Sequence, residues 1–244
     1  MQNVDKLKSL PAVSIIVPVF NEAAQLNGLI AAASSWQADE LIFVDGSSDD
    51  GTANSLKQAF AGHDEVAVLS TTAGRAQQMQ YGAERAVCDW VLFVHADTLL
   101  PLNYRDALLA AEQESCGWGR FNLKFSPSSS TYLNKAMRVI AAFINTRSRL
   151  TRIATGDQAL FVQAELLKRV GGLPIQPIME DIELCKRLKP MAKHYASQLT
   201  VITSPRRWQK KGVVSTVLLM WFMRLAYFLG VPAARLAKLY ANVR

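Results

Sequence analysis

Residues Trp90 to Val94 form a short unbroken apolar run that stops abruptly on His95-Ala96-Asp97-Thr98. A run of that length without alternation predicts a strand buried on both faces, which requires cover above and below a sheet. A carboxylate directly after such a strand sits at its carboxyl end, where open α/β sheets bind ligands. There it can hold a hard divalent cation, Mg²⁺ or Mn²⁺, and the cation can clamp phosphate oxygens. Asp97 has a second reading as the cap of a following helix, because Pro101 marks a helix start nearby.

Upstream, the same pattern recurs. Val13 to Val17 is a buried run that leads through Pro18-Val19-Phe20-Asn21-Glu22 into a helix predicted over Ala23 to Ala33. Asn21 is the expected N-cap, and Glu22 suits the positive first turn. Glu40 to Val44 is the next strand, ending on the turn Asp45-Gly46-Ser47-Ser48-Asp49-Asp50-Gly51-Thr52, with a helix to Phe60. A strand over Val66 to Leu69 and a helix over Gly74 to Val87 precede Trp90. Four alternations of strand and helix predict an α/β fold, a mostly parallel sheet with helices on both faces. Glu22, Asp45 and Asp97 then lie along one rim, each also explicable as a cap or turn former. No GxGxxG follows the first strand and no GxxxxGK[ST] occurs, which weakens dinucleotide and P-loop readings.

The second half is less regular. Cys116 to Phe125 reads as a strand, Ser126 to Ser130 as a loop, and Thr131 to Asn145 as a helix. Thr155-Gly156-Asp157-Gln158 leads into a strand at Ala159 to Val162, and Gly171-Gly172-Leu173-Pro174 breaks the chain. A helix is expected to begin near Glu180-Asp181. Those acids fit either the helix dipole or the wall of a pocket.

The chain has 244 residues, half of them hydrophobic, enough for a sizeable core. Cys88, Cys116 and Cys185 are odd in number and widely spaced, which argues against a disulfide framework or zinc site and fits a reducing compartment. The opening MQNVDKLKSL lacks the apolar core of a signal peptide, so a cytoplasmic location is expected. The net charge of +7 is unevenly placed: Leu184 to Arg244 holds 12 Lys/Arg and no acid, leaving 15 basic and 20 acidic residues before it. Such a block points to an anionic partner or a solvated basic face.

Val213 to Val231 is almost wholly apolar and near the length that spans a bilayer. Arg224 in its middle costs about 2.5–3.5 kcal/mol at a bilayer centre. Three readings stay open: helices packed on protein, an in-plane helix at an anionic membrane surface on the inner face of the cell membrane, or a true span. The expected division is a domain over residues 1–205 and a basic, apolar helical extension over 206–244.

Together, Val13 to Glu22, Val44 to Thr52, His95-Ala96-Asp97 and Met179-Glu180-Asp181 resemble the family-2 glycosyltransferases of the GT-A fold. Gly156 to Ala159 and Arg206 to Trp208 resemble segments of a small bacterial subgroup. The resemblance implies a nucleotide-diphosphate sugar donor, UDP-sugars first, and a divalent metal. It implies that Pro18, Phe20, Glu22 and Asp45 bind the nucleotide, and that Gly74, Arg75, His95, Ala96, Arg206 and Arg207 surround the donor. Asp97 matches the last Asp of the metal-binding DxD, with His95 replacing its first. Asp181 matches the general base, with Glu180 beside it. Trp118, Arg120, Asp157 and Trp208 are expected at the acceptor site.

The acceptor is open, with lipid-linked molecules among the candidates, and an oligomer is compatible with the sequence. No Asp or Glu stands out as a covalent nucleophile, so direct displacement with inversion is expected. Two alternatives stand beside this reading: a nucleotidyltransferase, and a nucleotide-sugar-binding, membrane-associated protein with weak catalysis. No nucleic-acid recognition module precedes the basic tail.

Overall fold

The computed structural model of the protein describes residues 10–242. Residues 1–9, which carry most of the segment read for a signal peptide, lie outside the described residues. One eight-stranded sheet organises the chain. Its strands are β1 (Val13–Val19), β2 (Glu40–Asp45), β3 (Val66–Ser70), β4 (Trp90–Phe93), β5 (Thr98–Leu99), β6 (Cys116–Phe125), β7 (Leu160–Gln163) and β8 (Lys193–Thr203). Their order across the sheet is β3-β2-β1-β4-β7-β6-β8-β5. The half from β3 to β4 is parallel, β7 is antiparallel to both its neighbours, and β6 runs parallel to β8.

Period-two burial explains why both faces are covered. Val13, Ile15 and Val17 enter one core with Phe43, Trp90 and Leu92. Ile16 enters the other with Ile42, Val44, Val91 and Phe93. Each of these side chains contributes about 1.5–3 kcal/mol by leaving water, so the unbroken apolar runs can be stable only as interior strands.

Ten helices surround the sheet among the described residues: α1 (Leu26–Ser34), α2 (Thr52–Ala59), α3 (Arg75–Ala83), α4 (Arg105–Gln113), α5 (Thr131–Thr151), α6 (Ala164–Arg169), α7 (Glu180–Leu188), α8 (Arg206–Lys211), α9 (Val213–Phe228) and α10 (Ala233–Asn242). The first helix differs from expectation. Ala23–Gln25 is a 3₁₀ turn, and Asn21 takes φ 52° instead of capping. Its amide donates to Ser48 Oγ and its side-chain oxygen accepts from the Asp49 amide, so it staples the β1 turn to the β2 turn. Asp50 supplies the cap from that neighbouring turn, accepting from the Ala23 amide at 2.8 Å.

Asp97 caps no helix. It is followed by β5, which pairs with the end of β8 and thereby draws the chain after Thr203 to the rim. The C-terminal apolar stretch is cut at Leu229-Gly230, where Gly230 has φ 91°. Among the described residues, no helix is long and apolar enough to cross a membrane. One side of α9 rests on α7. The Tyr227 hydroxyl donates to Glu183 Oε2 at 3.1 Å, and Lys186 Nζ lies 4.7 Å from the Tyr227 ring centre.

Two glycines make opposite demands. A Cβ on Gly119, in β6, would meet the Phe161 ring and stand 2.5 Å from the Tyr195 backbone oxygen, which cannot retreat within a paired strand. A Cβ on Gly28, inside α1, would meet nothing within 4 Å. Thermal melts followed by circular dichroism should therefore show Gly119→Ala destabilised by about 1–3 kcal/mol. Gly28→Ala should be stabilised by about 0.5–1 kcal/mol.

Candidate active site

Parallel strands point their carboxyl ends the same way, and β2, β1 and β4 are neighbours. Asp45 ends β2, Glu22 follows β1 and Asp97 follows β4, so the three acids stand on adjacent strand tips. Two adjoining cavities lie over this rim, with volumes of about 520 and 260 Å³. Phe20, Arg75, Gln78 and His95 line both. Pro18, Glu22, Ala96 and Asp97 line the smaller one, while Gly74, Asp157 and Asp181 line the larger.

The chain reaches these positions through backbone that most residues avoid. Asn21, Ser47, Ala159 and Met179 all have positive φ, and each stands in or beside a strand-tip turn or helix start of the rim. Such conformations cost about 1–3 kcal/mol each and persist where surroundings over-determine them. Met179 at φ 64° starts α7 sharply, which turns Glu180 into the protein and Asp181 toward the larger cavity.

Glu180 is 1% exposed and accepts from Arg75 Nε at 2.5 Å, with Arg75 Nη2 also paired to it. Burial works against the charge on Arg75, but the carboxylates of Glu180, Asp181 and Asp157 outweigh it and hold the guanidinium above its ordinary value. Asp181 is fixed by two backbone donors, Gly156 N at 2.9 Å and Ile182 N at 2.8 Å. Burial, reinforced by Glu180, raises its carboxyl above the usual range, while Arg75 and the two amides oppose the rise. A raised carboxyl is the better proton acceptor near neutral pH.

Three consecutive residues serve three purposes here. Gly156 donates to Asp181 and leaves room for the His95 ring, whose Cε1 and Nε2 would lie 2.6 Å from a Cβ. Asp157 Oδ1 lies 3.1 Å from His95 Nδ1. Gln158 is fully buried and donates to Ser148 Oγ on α5 at 2.9 Å, anchoring the segment in the core.

On the other side, Asp97 is exposed, with Thr203 Oγ1 at 3.4 Å. Partial burial pushes the Glu22 carboxyl up; Arg206 opposes this, and Asp97 and Asp50 add to it. Arg206 lies near enough for its charge to be felt at Glu22, and its Nε donates to Ser204 Oγ at 3.0 Å. Asp45 is 3% exposed, and its carboxylate accepts from the Ser48 hydroxyl and amide.

Not every expected residue reaches the cavities. Trp118 and Arg120 line neither cavity: β6 lies between β7 and β8, and both side chains are fully buried. Trp118 Nε1 donates to the Ala192 carbonyl at 3.2 Å. Arg120 donates to Asn122 Oδ1 at 2.7 Å, and burial together with Arg149 lowers its pKa to about 10. Trp208 packs edge-on against Phe125 with ring centres 5.9 Å apart and lines neither cavity. The Arg207 side chain lies outside the described residues.

Other residues of the site were not anticipated. Gln78 Nε2 donates to the Val19 carbonyl at 2.7 Å and the Val44 carbonyl at 2.8 Å, clamping the tips of β1 and β2. Its signal was a polar residue sharing a helical face with Met79 and Gly82. Met220, Met223 and Arg224 of α9 and Tyr240 of α10 close the larger cavity. Nothing in their spacing distinguishes that wall from an ordinary packed helix face.

The sequence profile of glycosyl transferase family 2 matches residues 14–159. The chain belongs to that family. A search of curated proteins finds no match. Among solved structures, the mannosyltransferase PcManGT from Pyrobaculum calidifontis, in complex with GDP-Man and Mn²⁺, is 21% identical with a TM-score of 0.61, covering 90% of this chain and 62% of that one. S. aureus TarS 1-349 is 18% identical with a TM-score of 0.60, covering 82% and 62%. The same TarS segment with UDP-GlcNAc gives 18% and 0.60, covering 79% and 58%. This chain thus spans a little under two thirds of those structures, and the likeness extends to the GT-A fold.

A Cβ on Gly156 would press on the His95 ring. Gly156→Ala should displace His95 and loosen the amide that holds Asp181. Any turnover at this site should fall by about 10–100-fold from misplacement. A melting temperature close to wild type would assign the loss to the site and not to folding.

Proposed function

We propose that the protein transfers a sugar from a nucleotide-diphosphate donor to an acceptor hydroxyl by direct displacement, with inversion at the sugar carbon. The observation that carries this is the pair of adjoining cavities. Asp97 lines one, Asp181 lines the other, and the walls between them are common to both. A donor seated at the strand tips would bring its sugar to a carboxylate whose raised pKa suits it to accept the acceptor's proton.

The residues divide accordingly. Pro18, Phe20 and Glu22 would bind the nucleoside, with Asp45 shaping the rim beside them. Arg75 and Arg206 bring positive charge near the expected diphosphate. Asp181 would remove the hydroxyl proton, and Glu180 would position it by holding Arg75 in place. Asp157, on the wall of the larger cavity, would face the acceptor.

Among the described residues, no three His, Cys, Asp or Glu side chains gather as a metal site. The exposed carboxylate of Asp97 nevertheless fits Mg²⁺ or Mn²⁺, hard cations that fill their other positions with water and substrate phosphate. Such a cation, when bound, supplies charge to stabilise the departing diphosphate. His95 is engaged with Asp157 and fits a role beside the metal better than one as its ligand.

Incubation with nucleotide sugars, UDP-sugars first, plus Mn²⁺ or Mg²⁺ should release nucleoside diphosphate. Release of pyrophosphate would instead mark a nucleotidyltransferase, and binding without turnover a sensor. Asp181→Asn should lower turnover by about 10²–10⁴-fold while donor binding, measured by calorimetry, persists. Full turnover in that variant would remove Asp181 as the base.

The pH dependence follows from the direction of the shift. Asp181 must be ionised to accept a proton, and burial beside Glu180 holds its folded pKa above that of an ordinary aspartate. Activity should therefore fall as pH drops through that raised value, with an acid limb displaced upward from the ordinary carboxylate range. A carboxyl raised on folding stabilises the fold below its unfolded pKa and loses that contribution as pH rises through the folded one. Asp181→Asn should accordingly melt no lower than wild type at neutral pH, in denaturation followed alongside the rate profile.

A further inference from the structure

The outward face of α9 is built the wrong way round for water. Val214, Leu218, Trp221, Phe222, Leu225 and Phe228 are all more than half exposed, from 56% to 65%. Their spacing of four, three, one, three and three residues puts them on one stripe of the helix. The opposite side is the buried one, where Thr216 and Met223 face the protein. An ordinary surface helix has the reverse arrangement.

The stripe continues onto α5. Tyr132, Val139, Phe143 and Leu150 are exposed there at spacings of seven, four and seven, which also align on one face. Phe143 stacks on Trp221 with ring centres 5.7 Å apart and planes at 28°, joining the two helices into one patch. A contiguous apolar surface of this kind marks an interaction site.

Charge selects the partner. α5 contains no acid and places exposed Lys135 and Arg138 beside its apolar line. Beyond Arg206, which stands at the rim, the sequence of α8 adds Arg207, Lys210 and Lys211 immediately before α9, and no Asp or Glu occurs from Leu184 to Arg244. A second copy of the chain seated on this patch by two-fold symmetry would set these cations against themselves. An anionic lipid surface satisfies both features: the apolar stripe enters the acyl boundary and the cations meet the headgroups.

We propose that α9, with the exposed face of α5, docks the protein in the plane of an anionic membrane surface. The assignment goes beyond the transferase reading and does not depend on it. The length of α9, 16 residues, suits lying in the interface and falls short of crossing it.

Co-sedimentation of the full chain with phosphatidylcholine vesicles, with and without phosphatidylglycerol, tests it. Binding to the anionic vesicles should exceed binding to the neutral ones by about tenfold or more. It should weaken steeply as salt rises from about 0.1 to about 0.5 M. The triple variant Leu218→Ser, Trp221→Ser, Leu225→Ser should lose about tenfold or more of that binding, since these side chains supply the apolar contact. Quenching of wild-type tryptophan fluorescence by brominated lipid, diminished in Trp221→Phe, reports insertion even if the triple variant fails to fold. Equal recovery with neutral and anionic vesicles, or no quenching, overturns the proposal. So does a dimer in solution that the triple variant dissociates while vesicle binding stays unchanged, because the patch would then be a subunit interface.

Discussion

Arg75 reaches from the start of α3 to Glu180 at the start of α7, joining segments 105 residues apart. Much of the site depends on that contact. Glu180 is buried, and a buried carboxylate without its cation is costly, so the two helix starts are held to each other. The neighbouring residue on α7, Asp181, inherits its position from this pairing and from the Gly156 amide. The same guanidinium forms part of the wall between the two cavities. One interaction thus sets both the boundary between the two cavities and the location of the Asp181 carboxylate.

The sheet explains why these groups meet at one rim. Parallel strands β2, β1 and β4 end together, and the turns after them are knitted by side chains rather than by regular backbone pairing. Asn21, Ser48 and Asp50 exchange hydrogen bonds between the first two turns, and Gln78 ties the strand tips from below. The pairing of β5 with β8 then delivers Arg206 to the side of Glu22 and Asp97. Four of the seven non-glycine positive-φ residues among the described residues, Asn21, Ser47, Ala159 and Met179, stand along this edge, where the network holds them.

Much of this was readable in the sequence because the governing signals were local. Unbroken apolar runs announce interior strands, and an acid placed directly after each run announces the rim. Met179-Glu180-Asp181 was recognisable as a helix start for the same reason. The failures were long-range. Trp118 and Arg120 were expected at the acceptor site, yet the strand order buries β6 between neighbours that no local pattern reveals, and both line neither cavity. Asn21 looks like a cap, but a cap donated by Asp50 from the next turn displaced it. Gln78 was passed over because its partners, the carbonyls of Val19 and Val44, belong to strands far away in sequence. The cavity wall formed by α9 and α10 had no local signature at all.

That wall has a mechanical consequence. Met220, Met223 and Arg224 face the larger cavity from the same helix whose far side carries Trp221 and Leu225. A rigid rod cannot tilt on one side alone. Any support that steadies the outer surface of α9 also fixes the width of the chamber beneath it, and any shift of the rod reshapes the space in front of Asp181.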